Sequence, residues 1–275
     1  MAWRAAAARR ERQRLLRSGE IRLLEDVWRN VGRHRVFARE STGAIRDAPP
    51  VVLVHGWGMS SSYFIPTAEW LAATFDVYAP DLLGHGRSDT PDVPRDVAGL
   101  ARALLDWLDV MQLDRVSLVG HSMGCQIAVE AALQQPGRVD RLVLIGLTPD
   151  PQGRSKAEQF RRFAIGGAYE RPSLNNHMIK DYSRMGRRLV PEFRFMLKDP
   201  IEHKLPQVTA RVMLVRGEKD PVVPQRWMDE AARLVRAERV AVIPGWGHAV
   251  NFSAAEELVA AIQPFLRERS AVAAA

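Results

Sequence analysis

Cysteine is almost absent from the chain. Cys125 is the single one among 275 residues, and one thiol makes neither an internal disulfide nor a cysteine-rich metal site, so a reducing, cytoplasmic setting is expected. Long hydrophobic runs are missing as well. No stretch approaches the roughly 18 apolar residues of a membrane-crossing helix, and no transmembrane segment is expected. The apolar fraction is nevertheless 47%, which excludes a disordered chain and suffices, over this length, for a large buried core. Internal repeats, heptads and low-complexity linkers are absent. So are metal-ligand clusters and phosphate loops, and Gly84-His85-Gly86 lacks the spacing of a dinucleotide site. No cofactor or metal is expected.

Acidic residues are the scarcer charge, 32 against 39 Lys and Arg, for a net +7. The excess is local. Residues 1–24 carry seven arginines and two glutamates, and residues 147–206 carry twelve basic and seven acidic side chains, a net +5 in each case. The remainder has 20 basic and 23 acidic residues, so the two patches do not make a nucleic-acid face and no nucleic-acid partner is expected. Residues 1–24 have no apolar stretch followed by a small-residue cleavage site, and read as a basic helix ahead of the domain rather than a secretory signal.

From Pro50 onward, short β-branched runs alternate with helical patterns. Val51–Val54, Phe75–Ala79, Val116–Val119, Leu142–Ile145 and Val212–Val215 are continuous apolar runs, as in parallel strands buried on both faces, and Val240–Ile243 is a sixth. Between them, Asp96–Leu108 places Val97, Leu100, Ala101, Leu104, Leu105 and Leu108 on one helical face. Repeated strand–helix units predict an α/β fold with a mostly parallel, doubly wound sheet flanked by helices. Val31–Glu40 reads as an antiparallel edge hairpin. The rhythm stops after Leu147. The following residues hold helical stretches such as Ala157–Ile165 and Asn176–Met185, separated by Gly166-Gly167, Pro172 and Pro191, and an insertion of that length predicts a helical cap. The expected division is a basic segment 1–24, a core of 25–146 and 206–275, and a cap of 147–205.

The sharpest motif is Gly120-His121-Ser122-Met123-Gly124, directly after one predicted strand and at the start of a helix. Glycines on both sides allow a tight turn that holds Ser122 in a strained conformation with its hydroxyl exposed. A serine needs a base. Of seven histidines, His248 in Gly245-Trp246-Gly247-His248 follows the last strand on a glycine-rich loop and is the expected one. His55, His85 and His121 are expected in structural hydrogen bonds. The base in turn needs an acid to fix its tautomer. Asp220, after Val212–Val215, sits on the same sheet edge and gives the order Ser, Asp, His; Asp150 is the competitor. Backbone N–H groups of Trp57 and Met123 are the expected oxyanion donors.

Five motifs in order, His55-Gly56-Trp57-Gly58, Asp81-Leu82-Leu83-Gly84-His85-Gly86-Arg87-Ser88, Gly120–Gly124, Gly217–Asp220 and Gly247-His248, resemble the α/β-hydrolase superfamily over roughly Val31 to Leu266. Within it the chain is similar to the capped serine esterases, lipases, lactonases and carbon–carbon bond hydrolases. Serine as nucleophile argues against the haloalkane dehalogenases and epoxide hydrolases, which use Asp. Cys125 stands where many relatives have a second glycine, and His121 stands where the carbon–carbon hydrolases often have Asn.

The resemblance implies an α/β-hydrolase fold and a cofactor-independent serine hydrolase, cleaving a carboxylic ester, lactone or thioester through an acyl-enzyme. Ser122, His248 and Asp220 form its triad, and Trp57 and Met123 its oxyanion hole. The alternatives are a carbon–carbon hydrolase, acyltransferase or perhydrolase using the same triad, or a receptor-like module with slow turnover. The partner is a small ester-like molecule with an apolar acyl or aryl part, and Trp57, Met178, Tyr182 and Met185 are its expected contacts.

Overall fold

The computed structural model describes residues 24–42 and 49–268. The basic segment 1–24 thus lies, but for Leu24, outside the described residues. Among the described residues there are eight strands: β1 (Leu24–Val31), β2 (His34–Ser41), β3 (Val51–Val54), β4 (Val77–Pro80), β5 (Val116–His121), β6 (Val139–Ile145), β7 (Arg211–Gly217) and β8 (Arg239–Ile243). They form one sheet in the order β1-β2-β4-β3-β5-β6-β7-β8. β2 is antiparallel to both β1 and β4, and every other pairing is parallel.

The apolar runs bury both faces of the central strands, because successive side chains point to opposite sides. Val52, Val54, Leu118, Leu142, Leu144 and Leu214 belong to one hydrophobic cluster, and Val51, Leu53, Val119, Val143, Ile145 and Met213 to the other. Helices α1 (Ile65–Leu71), α2 (Val97–Val110) and α3 (Met123–Gln134) connect the first parallel strands. α2 and α3 pack on the first cluster and α1 on the second. α2 starts where Asp96 Oδ1 accepts from the Gly99 N–H at 2.8 Å, an N-cap that satisfies one free donor of the first turn. Burying each large aliphatic side chain in these layers contributes about 1.5–3 kcal/mol, which makes the sheet the stable part of the molecule.

Three expectations shift. The strand expected at Phe75–Ala79 starts at Val77, because Phe75 closes the turn after α1 through its N–H to Leu71 O. The hairpin expected at Val31–Glu40 is longer and spans β1 and β2, with its turn at Gly32-Arg33. The run Val240–Ile243 forms β8, but at the sheet edge, so Val240 and Val242 are exposed.

Between β6 and β7 the chain inserts the helices α4 (Lys156–Gly166), α5 (Ser173–Met185) and α6 (Leu189–Lys198), followed by a short helical turn at Ile201–Lys204. Pro191 does not separate helices. It lies in the first turn of α6, where a backbone N–H has no partner to lose. After β7, α7 (Gln225–Val235) packs on the first cluster and α8 (Ala255–Arg267) on the second. No helix among the described residues is long and apolar enough to cross a membrane.

Candidate active site

β5 ends at His121 and α3 begins at Met123, so a single residue makes the reversal. Ser122 adopts φ 56° and ψ −122°, a left-handed conformation that costs a non-glycine residue on the order of 1–3 kcal/mol. Its neighbours hold it there. The Ser122 N–H donates to Ile145 O and its carbonyl accepts from the Cys125 N–H, both at 2.9 Å. Gly124 is required by close approach, because a Cβ would run into the Val54 carbonyl of β3. Met123 is the first residue of α3, and its N–H is among the donors that the helix itself leaves unused. Cys125 points away into the core, donating to Gly120 O and Ile145 O at 3.2 Å. Burial pushes its thiol pKa up, so it stays protonated beside the turn.

Asp220 and His248 meet from the loops after β7 and β8. Asp220 Oδ1 accepts from the Val222 and Val223 N–H groups at 2.8 and 3.2 Å, and Oδ2 lies 2.8 Å from His248 Nδ1. A carboxylate only accepts, so Nδ1 carries the proton and Nε2 keeps its lone pair. Nε2 is buried and has no hydrogen-bond partner among the described residues. Burial disfavours the imidazolium, but the charge and hydrogen bond of Asp220, with Glu170 beyond it, outweigh burial and raise the His248 pKa. Asp150, the competing acid, is occupied elsewhere: Arg162 Nη1 reaches its Oδ2 at 2.9 Å and Arg226 Nη1 its Oδ1 at 2.9 Å.

His55 and His121 are fixed by hydrogen bonds, and His85 lies against a carboxylate. The Leu82 N–H donates to His55 Nε2 at 2.9 Å, so His55 Nδ1 bears the proton and donates to Gly56 O at 3.0 Å. Burial holds its pKa well below the usual imidazole range. His85 Nε2 lies 3.0 Å from Glu192 Oε2 of α6, with both side chains buried. His121 Nε2 donates to His248 O at 3.0 Å, and its Nδ1 lies 2.8 Å from Tyr63 Oη, which accepts from the Gly56 N–H at 2.8 Å. The order of donors follows: Tyr63 O–H donates to Nδ1. Burial also keeps His121 neutral. A hydrogen-bonded line therefore runs from the loop after β3, past Ser122, to the His248 loop.

Trp57 and the insertion close over these loops. The Trp57 ring lies 5.3 Å from Tyr182 and 4.8 Å from Phe193, and its Nε1 donates to Leu189 O at 3.0 Å. Tyr182 presses on Gly58. Met178, one turn earlier on α5, packs on the second cluster, and Met185 is buried. Phe163 of α4 approaches the His248 ring at 6.2 Å. Glu170, Tyr63 and Phe163 are the residues that sequence reasoning missed as neighbours of the histidine loop. The aromatic residues carry a weak signal in their helical spacing; a lone Glu in Tyr169-Glu170-Arg171 carries none. Among the described residues, no group of three His, Cys, Asp or Glu side chains is arranged to hold a metal ion.

The chain is similar to several known proteins. An uncharacterized protein of Mycobacterium tuberculosis is 41% identical over 122 residues, covering 43% of this chain but only 34% of its own length; the match thus spans about a third of that relative. The pimeloyl-[acyl-carrier protein] methyl ester esterase of Nitrosomonas europaea is 27% identical over 255 residues, covering 80% of this chain and 95% of its own. The crystal structure of E-2-(acetamidomethylene)succinate hydrolase superposes with a TM-score of 0.74 at 23% identity, covering 90% of this chain and all of the other. The alpha/beta hydrolase family model matches residues 51–261, from β3 into α8, which includes the Ser122 turn and both loops that meet at Asp220 and His248. By fold and by this match, the chain belongs to the α/β-hydrolase family.

Proposed function

We propose that this protein is a serine hydrolase that cleaves a carboxylic ester, lactone or thioester through an acyl-enzyme. The observation that carries the reading is the strained Ser122, held at φ 56° between the end of β5 and the amino terminus of α3, next to the loops that bring Asp220 and His248 together. Ser122 Oγ attacks the carbonyl carbon as His248 Nε2 takes its proton. Asp220 holds the imidazole tautomer and stabilises the imidazolium. The N–H groups of Trp57 and Met123 receive the developing oxyanion. His248 then returns its proton to the leaving alkoxide or thiolate, and a water molecule, activated by the same base, releases the acid and regenerates Ser122.

The helical insertion acts as the cap in this reading. Trp57, Tyr182, Met178 and Met185, joined by Phe163 and Phe193, give the acyl or aryl part an apolar, adaptable wall. The Nitrosomonas relative named for a methyl ester supports ester chemistry over most of the chain length. Hydrolysis of p-nitrophenyl esters tests the proposal: Ser122→Ala is expected to lower kcat by about 10⁴-fold or more, with the protein still folded. A Ser122→Ala protein that hydrolyses at the wild-type rate contradicts it. The pH profile adds a second check. His248 acts as base only when neutral, and its pKa is raised, so kcat/KM is expected to fall on acidification at a pH above the ordinary imidazole value of 6.5.

A further inference from the structure

The peptide unit between His248 and Ala249 is gripped on both sides. Its carbonyl oxygen accepts from His121 Nε2 at 3.0 Å, and its N–H, that of Ala249, donates to Glu170 Oε1 at 2.8 Å. His121 belongs to the sheet. Glu170 belongs to the insertion, in the connection between α4 and α5. Its other oxygen, Oε2, accepts from Ser253 Oγ at 2.6 Å, and that hydroxyl already accepts from the Arg171 N–H at 3.2 Å, so its proton is committed to Glu170. Donors on both oxygens are what an ionised carboxylate takes. The approach depends on Gly247: a Cβ there would stand 2.6 Å from Glu170 Oε1 and 3.1 Å from Tyr169 Cβ. Two cations line the same seam, Lys219 Nζ 5.3 Å from the Tyr169 ring and the Arg171 guanidinium 5.5 Å from the Trp246 ring.

We propose that Glu170 is a positioning residue for the histidine base, a second carboxylate delivered by the insertion that fixes the 248–249 peptide and sets its charge behind the imidazolium. Placement of the base then depends on the insertion being seated, which couples the cap to the chemistry. The idea rests on His248 serving Ser122 as proposed above. Three titratable groups face the imidazole: Asp220 from the loop after β7, His121 from the end of β5, and Glu170 from the insertion. Asp220 alone bonds the ring. Glu170 acts through the backbone and through charge. Burial raises the Glu170 pKa, against the pull of Ser253, the Ala249 amide and His248.

Two substitutions separate charge from reach. Glu170→Gln keeps the size and an acceptor while removing the charge. Glu170→Asp keeps the charge but is one methylene shorter, so it cannot hold both Ala249 and Ser253. The pH profiles of kcat/KM for a p-nitrophenyl ester are compared among the wild type and both variants, normalised to the sites labelled by a fluorophosphonate and accompanied by thermal melts. Without the charge the imidazolium is less favoured, so the acid limb of Glu170→Gln is expected to move to lower pH, with plateau kcat about tenfold lower and KM unchanged. Glu170→Asp is expected to keep the wild-type acid limb and lose only plateau rate. An acid limb of Glu170→Gln at or above that of the wild type overturns the proposal, whatever happens to the melting temperature. Wild-type protein that is neither labelled nor hydrolytic overturns instead the serine-hydrolase reading, and this proposal with it.

Discussion

In the sheet, the residues sealed from solvent are chiefly Val, Leu and Ile stacked on alternate faces. In the insertion between β6 and β7 they include Asp150, Arg162, Asp181, Glu192 and Asp199, while Phe160, Ile165, Ile179 and Val190 are exposed. The sheet is held by area removed from water, which is non-directional and tolerant. The insertion buries apolar side chains too, such as Leu174, Phe193, Met196 and Leu197, but adds directional bonds to them. Arg162 and Arg226 grip Asp150, Gln126 Nε2 donates to Met196 O at 3.0 Å and Asp199 Oδ2 at 3.1 Å, and Ser60 Oγ donates to Asp181 Oδ2 at 2.6 Å. Such contacts make good latches and poor cores, because each is lost whole when its geometry slips.

The strongest way to break this contrast is in the sheet. Leu144 is fully buried in β6, and Leu144→Ala is expected to cost about 2–5 kcal/mol in urea unfolding, with insertion and sheet lost together. Next comes the latch. Asp150→Ala leaves the buried Arg162 with one partner fewer and is expected to cost about 1–3 kcal/mol, read by hydrogen exchange as lost protection in α4–α6 while β5 and β6 keep theirs. Equal loss in both regions would erase the distinction.

Acid is a gentler probe of the same seam. For Glu202 and Glu130, burial raises the pKa, but Arg154 and Lys204 respectively outweigh it and hold the folded value below 4.5. A depressed folded pKa contributes stability that is complete above the unfolded value and lost as pH falls through the folded one. Exchange protection in α4–α6 is therefore expected to fail below pH 4.5 before that of β5. The smallest effect belongs to the exposed pair Arg161–Glu158: Arg161→Ala is expected to leave the melting temperature unchanged.

The contrast also explains what could be read in advance. β3, β5, β6 and β7 were legible because each is a short apolar run with one requirement, burial on both faces. Val240–Ile243 has the same composition and ends at the edge, since a run of β-branched residues does not record how many neighbours it will have. The strained turn at Ser122 was legible because its determinants are local: turn, strand and helix lie within five residues. Asp220 and His248 needed only the rule that loops after parallel strands share one edge. Glu170 was not legible, as its partners Ala249 and Ser253 are 79 and 83 residues away and a surface glutamate has the same local sequence. His121 was placed correctly among the structural histidines, but its bond to His248 O spans 127 residues and has no local signature.

The proposed nucleophile is Ser122, held at the β5–α3 turn and served by His248. Intact-mass and peptide mass spectrometry after reaction with a fluorophosphonate tests it most directly. One adduct per chain, located on Ser122 and missing from both Ser122→Ala and unreacted protein, is the expected result. An adduct on any other residue of the wild type, or none at all in folded protein across the neutral pH range, would contradict it.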